Sequence, residues 1–296
     1  MIVRQNLSAL RVVSTDRASL SYAIAVAVVV TAAHEIFDVP HLALPFAPIG
    51  TLGAAVAIFA AFRINAANAR WAEARMQWAT IQNSCRVLTR QLMAATTNSV
   101  ATGVATPETA AAYRREMAGR LIAFANLLGA RLRGTNESVA AETRLPDDIQ
   151  GLAGAVDPAN LVLQSVTVRV KDGIRQGLLG QFDPMTLEPA VGALSGAATT
   201  CQRIKHTPTP RQYDYFTRVA VAAFSTLLPF GLLGALPPTD AWWTVPLTAV
   251  IAGVFIVLER VGAVLDAPFA NSVNDVPITA ICRDIERDLL EQIGEH

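Results

Sequence analysis

Long stretches without formal charge alternate with arginine-rich stretches along this chain. Residues 18–33, 39–62, 219–239 and 241–258 contain no Asp, Glu, Lys or Arg. A membrane-spanning helix needs about 20 mostly apolar residues. The second and third stretches reach that length. The first and fourth fall slightly short, and each is read as a span because a short turn joins it to a full-length neighbour. The pattern predicts two helical hairpins, with a long helical region, residues 63–217, between them. The first run lacks a convincing small-residue cleavage site and is read as a retained span, not a signal peptide.

The second stretch does not end where the charges begin. "GTLGAAVAIFAAFRINAANARWAEAR", residues 50–75, passes from apolar residues to Arg63, Asn65, Asn68 and Arg70 with no helix breaker. One helix is therefore expected to leave the membrane and continue. Its apolar half carries two stripes at four-residue spacing. Gly53, Ala57 and Ala61 form a small-residue stripe, the pattern that lets membrane helices approach closely. Ala54, Ile58 and Phe62 form a second stripe, about 100° further round. Periodicity leaves this second stripe open to lipid, to another helix of the chain, or to a symmetry axis. Trp71 and Trp78, seven apart, share one face beyond the apolar half.

The intervening region reads as helices. "TPETAAAYRREMAGRLIAFANLLGARLR" offers Thr106 as N-cap, Pro107 at the first helical position and Glu108 near the positive end of the dipole. Leu121, Phe124, Leu128 and Leu132 follow at helical spacing, and Glu116 and Arg120 form an i,i+4 pair worth a few tenths of a kcal/mol on a surface. Further helices are predicted over residues 158–179 and 184–205. Pro208 and Pro210 then impose an extended approach to the third span. Pro277 opens a last helix with Ile278, Ile281, Ile285 and Leu289 on one stripe. No β pattern of any length occurs, so the fold class is all-α.

Charge fixes the orientation. Of 24 Lys and Arg residues, 17 lie between Arg63 and Arg211, and the two short connections, residues 34–38 and 236–240, have none. Excess Lys and Arg mark the cytoplasmic side, which puts both termini and the intervening region inside. The expected layout is a first hairpin with its N-terminal segment (1–62), a cytoplasmic helical region (63–217), a second hairpin (218–258) and a cytoplasmic C-terminal helix (259–296). Formal net charge is zero, which gives no reason to expect a nucleic-acid partner. Cys85, Cys201 and Cys282, and the four histidines His34, His41, His206 and His296, form no metal or disulfide pattern. No phosphate-binding loop, carboxylate pair on a span or nucleophile beside a histidine occurs, so neither a metal, a cofactor nor an enzymatic reaction is expected. Ser225 and Thr226 in the third span are read as bonded to their own helix. Arg218 and Glu259 are read as interfacial anchors, and Pro229 as a kink.

Four ordered blocks carry a resemblance. "FRINAANARWAEARMQW" resembles the signature of the bestrophin family, and "CQRIKHTPTPRQYDYFTR" resembles the segment of bacterial bestrophins built on Cys-Glu-Arg and Thr-Pro-x-Pro. "LLPFGLLG" and "APFANSVNDVP" match two further blocks in order. The resemblance implies a homopentameric ion channel in the inner membrane, with lipid and monovalent ions as its partners and its pore on the five-fold axis. Carried over by position, Ala54, Ile58 and Phe62 line an apolar neck and Phe182 forms a cytoplasmic aperture. Gly53, Ala57 and Ala61 then pack the neck helices. Ala54 is smaller than the bulky aliphatic usual at its position, and the acidic run of a calcium clasp is reduced to Asp266 and Asp275. The wider family implies chloride or other anions; a sodium-selective bacterial channel is the alternative. A secondary transporter would need discontinuous helices and midplane ionisable groups, which are absent from the pattern. A non-conducting membrane scaffold would share the same hairpins.

Overall fold

The computed structural model describes residues 17–135, 155–207, 209–271 and 275–295. Arg4, Arg11, Pro208, His296 and residues 272–274 of the last block lie outside them. Every regular element among the described residues is a helix. In chain order these are α1 (Arg17–Ile36), α2 (Phe46–Ala101), α3 (Pro107–Arg133), α4 (Pro158–Arg175), α5 (Asp183–His206), α6 (Arg211–Ala235), α7 (Thr244–Leu265) and α8 (Ile278–Ile293). Short 3-10 turns cover Pro40–Leu42 and Pro238–Trp243. The chain forms two compact units, residues 1–71 with 208–267 and residues 72–207 with 268–296.

Four helices are long and apolar enough to cross a membrane, and all four contribute to the first unit. Their ends differ from the charge-free stretches because proline sets them. The second stretch begins as a 3-10 turn, and α2 starts only at Phe46. Pro40 and Pro45 lack an N–H and hold the residue before them out of the helical region. Pro48 falls in the first turn, where no N–H is needed. Similarly α6 stops at Ala235, with Leu236 extended ahead of Pro237 and Pro238. The fourth span starts later than its charge-free run and continues past it to Leu265. The part of α2 within this unit, residues 46–71, measures roughly 39 Å at 1.5 Å per residue, more than the ~30 Å hydrocarbon thickness.

Small residues let these helices close on one another. Ala23, Ala27 and Ala252 are fully buried where α1, α6 and α7 meet. Ile49, Val56, Val221, Phe224, Leu228 and Ile256 complete the core, with the Phe224 and Phe255 rings 4.7 Å apart. Two glycines are required by close approach. A Cβ on Gly53 would lie 2.7 Å from the Phe224 ring, and one on Gly234 would lie 2.1 Å from the carbonyl oxygen of Leu44. The Leu44 amide donates to the Phe230 carbonyl at 3.0 Å, so this loop is joined to α6 through its backbone.

Among the described residues, the second unit packs around one core. Trp78, Phe124, Met117, Leu121, Leu128 and Leu194 are fully buried in it. The stripe of α3 is buried from Leu121 to Leu132, and Ile278, Ile285 and Leu289 of α8 are buried with it. The cap of α3 is formed as the sequence predicts: Thr106 Oγ1 accepts from the Thr109 amide and Thr109 Oγ1 accepts from the Thr106 amide, each at 3.2 Å. Gly134, in the left-handed region, ends the helix. The Glu116–Arg120 pair differs from a surface pair. Arg120 is fully buried, its Nη2 donates to Glu116 at 2.6 Å, and its Nη1 donates to Ser165 Oγ at 2.9 Å. Glu116 also accepts two hydrogen bonds from Arg169 of α4, at 2.7 and 2.6 Å. Burial pushes the Glu116 carboxyl up, but the hydrogen bonds and charges of Arg169 and Arg120 outweigh it and hold the group below the usual carboxylate range.

Two outcomes are expected. Gly234→Ala forces the Leu44 backbone away and costs about 3 kcal/mol, read as a lowered midpoint in thermal unfolding of the detergent-solubilised protein. Glu116→Gln removes the carboxylate shared by Arg120 and Arg169 and costs about 2 kcal/mol, less than for a fully enclosed pair because solvent reaches Glu116. The native carboxyl is more acidic than in the unfolded chain. Its stabilisation is therefore complete above the unfolded value of about 4.3 and is lost as pH falls through the lower native value. The variant should show a shallower loss of stability than the parent below about pH 4.3.

Candidate functional site

The apolar half of α2 is asymmetric. Ile49, Gly53, Val56 and Ala60 form the face buried against the rest of its own unit. At about 100° per residue, Ile58 points roughly 160° away from both Val56 and Ala60, which flank the opposite side. Ala54, Ile58 and Phe62 are all exposed, Ile58 by 57% and Phe62 by 70%. The small stripe lies between these faces: Gly53 is buried, Ala57 is half-buried and Ala61 is exposed. One chain thus leaves Ala54, Ile58 and Phe62 uncovered on the far side of its longest helix, with Ala55 and Ala61 exposed beside them.

Charges begin one residue after Phe62. Arg63 is 12% exposed and reaches both α6 and α7. It pairs with Asp214 of α6 and, at 3.3 Å, with Glu259 of α7, whose side chain is 9% exposed. Arg218 also lies 3.4 Å from Asp214 and 3.9 Å from Glu259. Two cations face two anions in this cluster. The charge-free runs place Arg218 and Glu259 at the ends of spans but do not bring Arg63 and Asp214 to them. These residues stand up to 196 positions apart, and no local pattern signals their meeting. Two turns further on, Arg70 Nε donates to the Asp266 carbonyl at 3.0 Å, and Thr209 Oγ1 donates to the Asp266 carboxylate at 2.7 Å.

Phe62 also borders a cavity of about 450 Å³ inside the first unit. Phe59, Ala66, Tyr213 and Gly262 line it together with Arg63 and Asp266. The Phe59 and Phe216 rings meet at a 59° tilt with centroids 5.4 Å apart. One side of Phe62 is therefore backed by space and not by close packing.

Phe182 stands in the second unit, at the residue before α5. Its position is set by a tight turn. Asp183 Oδ2 accepts from the Gly180 amide at 2.7 Å, and the Asp183 amide donates to the Gly180 carbonyl at 3.2 Å. The Phe182 ring is 78% exposed, and Met185 one turn later is 74% exposed.

No group of three or more His, Cys, Asp or Glu able to hold a metal ion occurs among the described residues. All three cysteines are buried thiols, none joined in a disulfide. Burial, with Glu73 adding to it, pushes the Cys201 thiol up to about 12, which removes its thiolate at neutral pH. Thr226 Oγ1 donates to the Ala222 carbonyl at 2.8 Å, the helix-backbone bond expected of it. Ser225 is different: its hydroxyl is buried without a partner.

The profile of the family described as Bacterial/Fungal Bestrophin protein matches residues 7–291. Voltage-dependent anion channel-forming protein YneE of Escherichia coli K12 is 32% identical over 259 residues, 86% of this chain and 80% of that protein. Voltage-dependent anion channel-forming protein mll4386 of Mesorhizobium japonicum is 29% identical, over 84% of this chain and 75% of its own. The crystal structure of a bacterial bestrophin homologue from Klebsiella pneumoniae superposes with a TM-score of 0.82 at 27% identity, covering 94% of this chain and 98% of that one. Profile, sequence and fold agree over nearly the whole length: the chain belongs to the bacterial and fungal bestrophin family.

Proposed function

We propose that the chain is one subunit of a homopentameric, anion-conducting channel of the inner membrane, with both termini and residues 63–217 on the cytoplasmic side. The observation that carries this reading is the uncovered Ala54, Ile58 and Phe62 stripe, opposite the face that α2 buries against its own chain. Relatives named as anion channel-forming proteins support conduction and favour anions. In the proposed assembly each α2 turns this stripe to a common axis, and the half-buried Ala57 and exposed Ala61 allow neighbouring α2 helices to come close.

The neck then holds three uncharged rings over about 12 Å of helix. Such a passage offers no replacement for an ion's hydration shell, and it closes by dewetting when narrow. Ile58 and Phe62 form the barrier, while the small Ala54 leaves the first ring wide. Phe182 forms a second constriction nearer the cytoplasm. Uncharged rings cannot select the sign of an ion, so selection is left to charged groups outside the neck. The Arg63 cluster is internally neutral, and its work is to hold α2, α6 and α7 together at the end of the neck.

Two measurements in planar bilayers test the reading. Ile58→Ala should raise single-channel conductance at least about twofold by wetting the neck, and Phe182→Ala should change conductance or ion preference. Conductance and preference unchanged in both variants would remove these residues from the pore. Under asymmetric NaCl the reversal potential should move toward the chloride equilibrium value. Movement toward the sodium value would make the channel cation-selective, and absence of any passive flux would leave a membrane scaffold.

A further inference from the structure

A second cavity of the first unit lies away from the exposed stripe of α2. It measures about 490 Å³ and is formed by α1, α6 and α7. Each helix presents one stripe to it. On α6 these are Arg218, Val221, Ala222 and Ser225, at the i, i+3, i+4 and i+7 positions of one face. On α7 they are Ile256, Glu259 and, one turn on from Ile256, Arg260. Val221, Ala222 and Ile256 give the cavity an apolar flank, Ser19, Tyr22 and Ser225 add hydroxyls, and Arg218, Glu259 and Arg260 stand at one end, where the charge-free part of α7 has just finished.

Three observations describe what this cavity would hold. Arg218 is already drawn to Asp214 and Glu259, and these two carboxylates are balanced by Arg63 and Arg218. Arg260, which is exposed, has no hydrogen-bond or ion-pair partner among the described residues, so the basic end carries one net positive charge. Ser225, only 3% exposed, has a hydroxyl with no hydrogen-bond partner. A buried hydroxyl without a partner costs about 1–3 kcal/mol. It lies about 10 Å along α6 from Arg218, on the apolar side of the charges.

We propose that this cavity binds one anionic phospholipid. Its phosphate sits between Arg260 and Arg218, an ester carbonyl of its glycerol accepts from Ser225 Oγ, and an acyl chain covers Val221, Ala222 and Ile256. Basic pockets between membrane helices at headgroup depth recognise anionic lipids in this way. A soluble anion would use only the arginines and leave the apolar length and the serine uncovered. A zwitterionic lipid would use the apolar length but gain nothing from the surplus charge.

The test uses the full-length protein purified in neutral detergent, with binding followed by native mass spectrometry and by thermal shift. Titrants are dioleoyl phosphatidylglycerol, dioleoyl phosphatidylcholine and inorganic phosphate. Phosphatidylglycerol should bind at least about tenfold more tightly than phosphatidylcholine, from the surplus charge and the second arginine, and phosphate alone should give no shift. Arg260→Gln should weaken phosphatidylglycerol binding about fivefold and leave phosphatidylcholine binding unchanged. Ala222→Phe, a change at an exposed position that fills the cavity, should abolish binding of both lipids at this stoichiometry while the lipid-free melting temperature stays within a few degrees of the parent. Equal affinity for the two lipids, or phosphatidylglycerol binding unaffected by both substitutions, would overturn the proposal. A phosphate shift as large as the phosphatidylglycerol shift would also overturn it, in favour of a soluble-anion site.

Discussion

A guanidinium withdrawn from water beside an apolar helix face cannot be left unpaired, and Arg63, 12% exposed, follows Phe62 directly. The cost of taking such a group from water is met only by close, well-placed carboxylates. Here Asp214 of α6 and Glu259 of α7 meet that requirement together. The consequence reaches through the whole first unit. Three helices from distant parts of the chain are pinned at one level, with Arg218 completing the charge balance. The small residues above that level, Gly53 on α2 and Ala252 on α7, let the same helices pack closely. The ion cluster sets which helices meet; the glycine and alanine contacts set how near.

What could be read from the sequence follows from where the determining forces act. The stripes of α3 and α8 and the Thr106 cap depend on residues three or four apart, and they stand where the pattern puts them. Helix ends depend on prolines, and charge-free runs mark them poorly: α2 begins at Phe46 although the uncharged stretch begins at Val39. The faces of α2 were legible as two stripes, but periodicity could not say which one was covered by the chain itself. Side-chain pairings across the sequence were not legible. Glu116 was paired with Arg120 by spacing, whereas the second arginine on it, Arg169, is 53 residues away. Asp214 reaches Arg63 across 151 residues. Nothing local encodes those meetings; packing of the helices produces them.

The backbone contact between Leu44 and α6 has a different kind of consequence. The Leu44 amide and carbonyl make the contact, one by bonding to Phe230 and the other by lying against Gly234. Its side chain takes no part in either. Selection on this contact therefore falls on the helix it touches and not on the residue that makes it. The Leu44 side chain is free to change while the path, set by Pro40 and Pro45, stays fixed, and the position that cannot drift is a glycine nearly two hundred residues downstream.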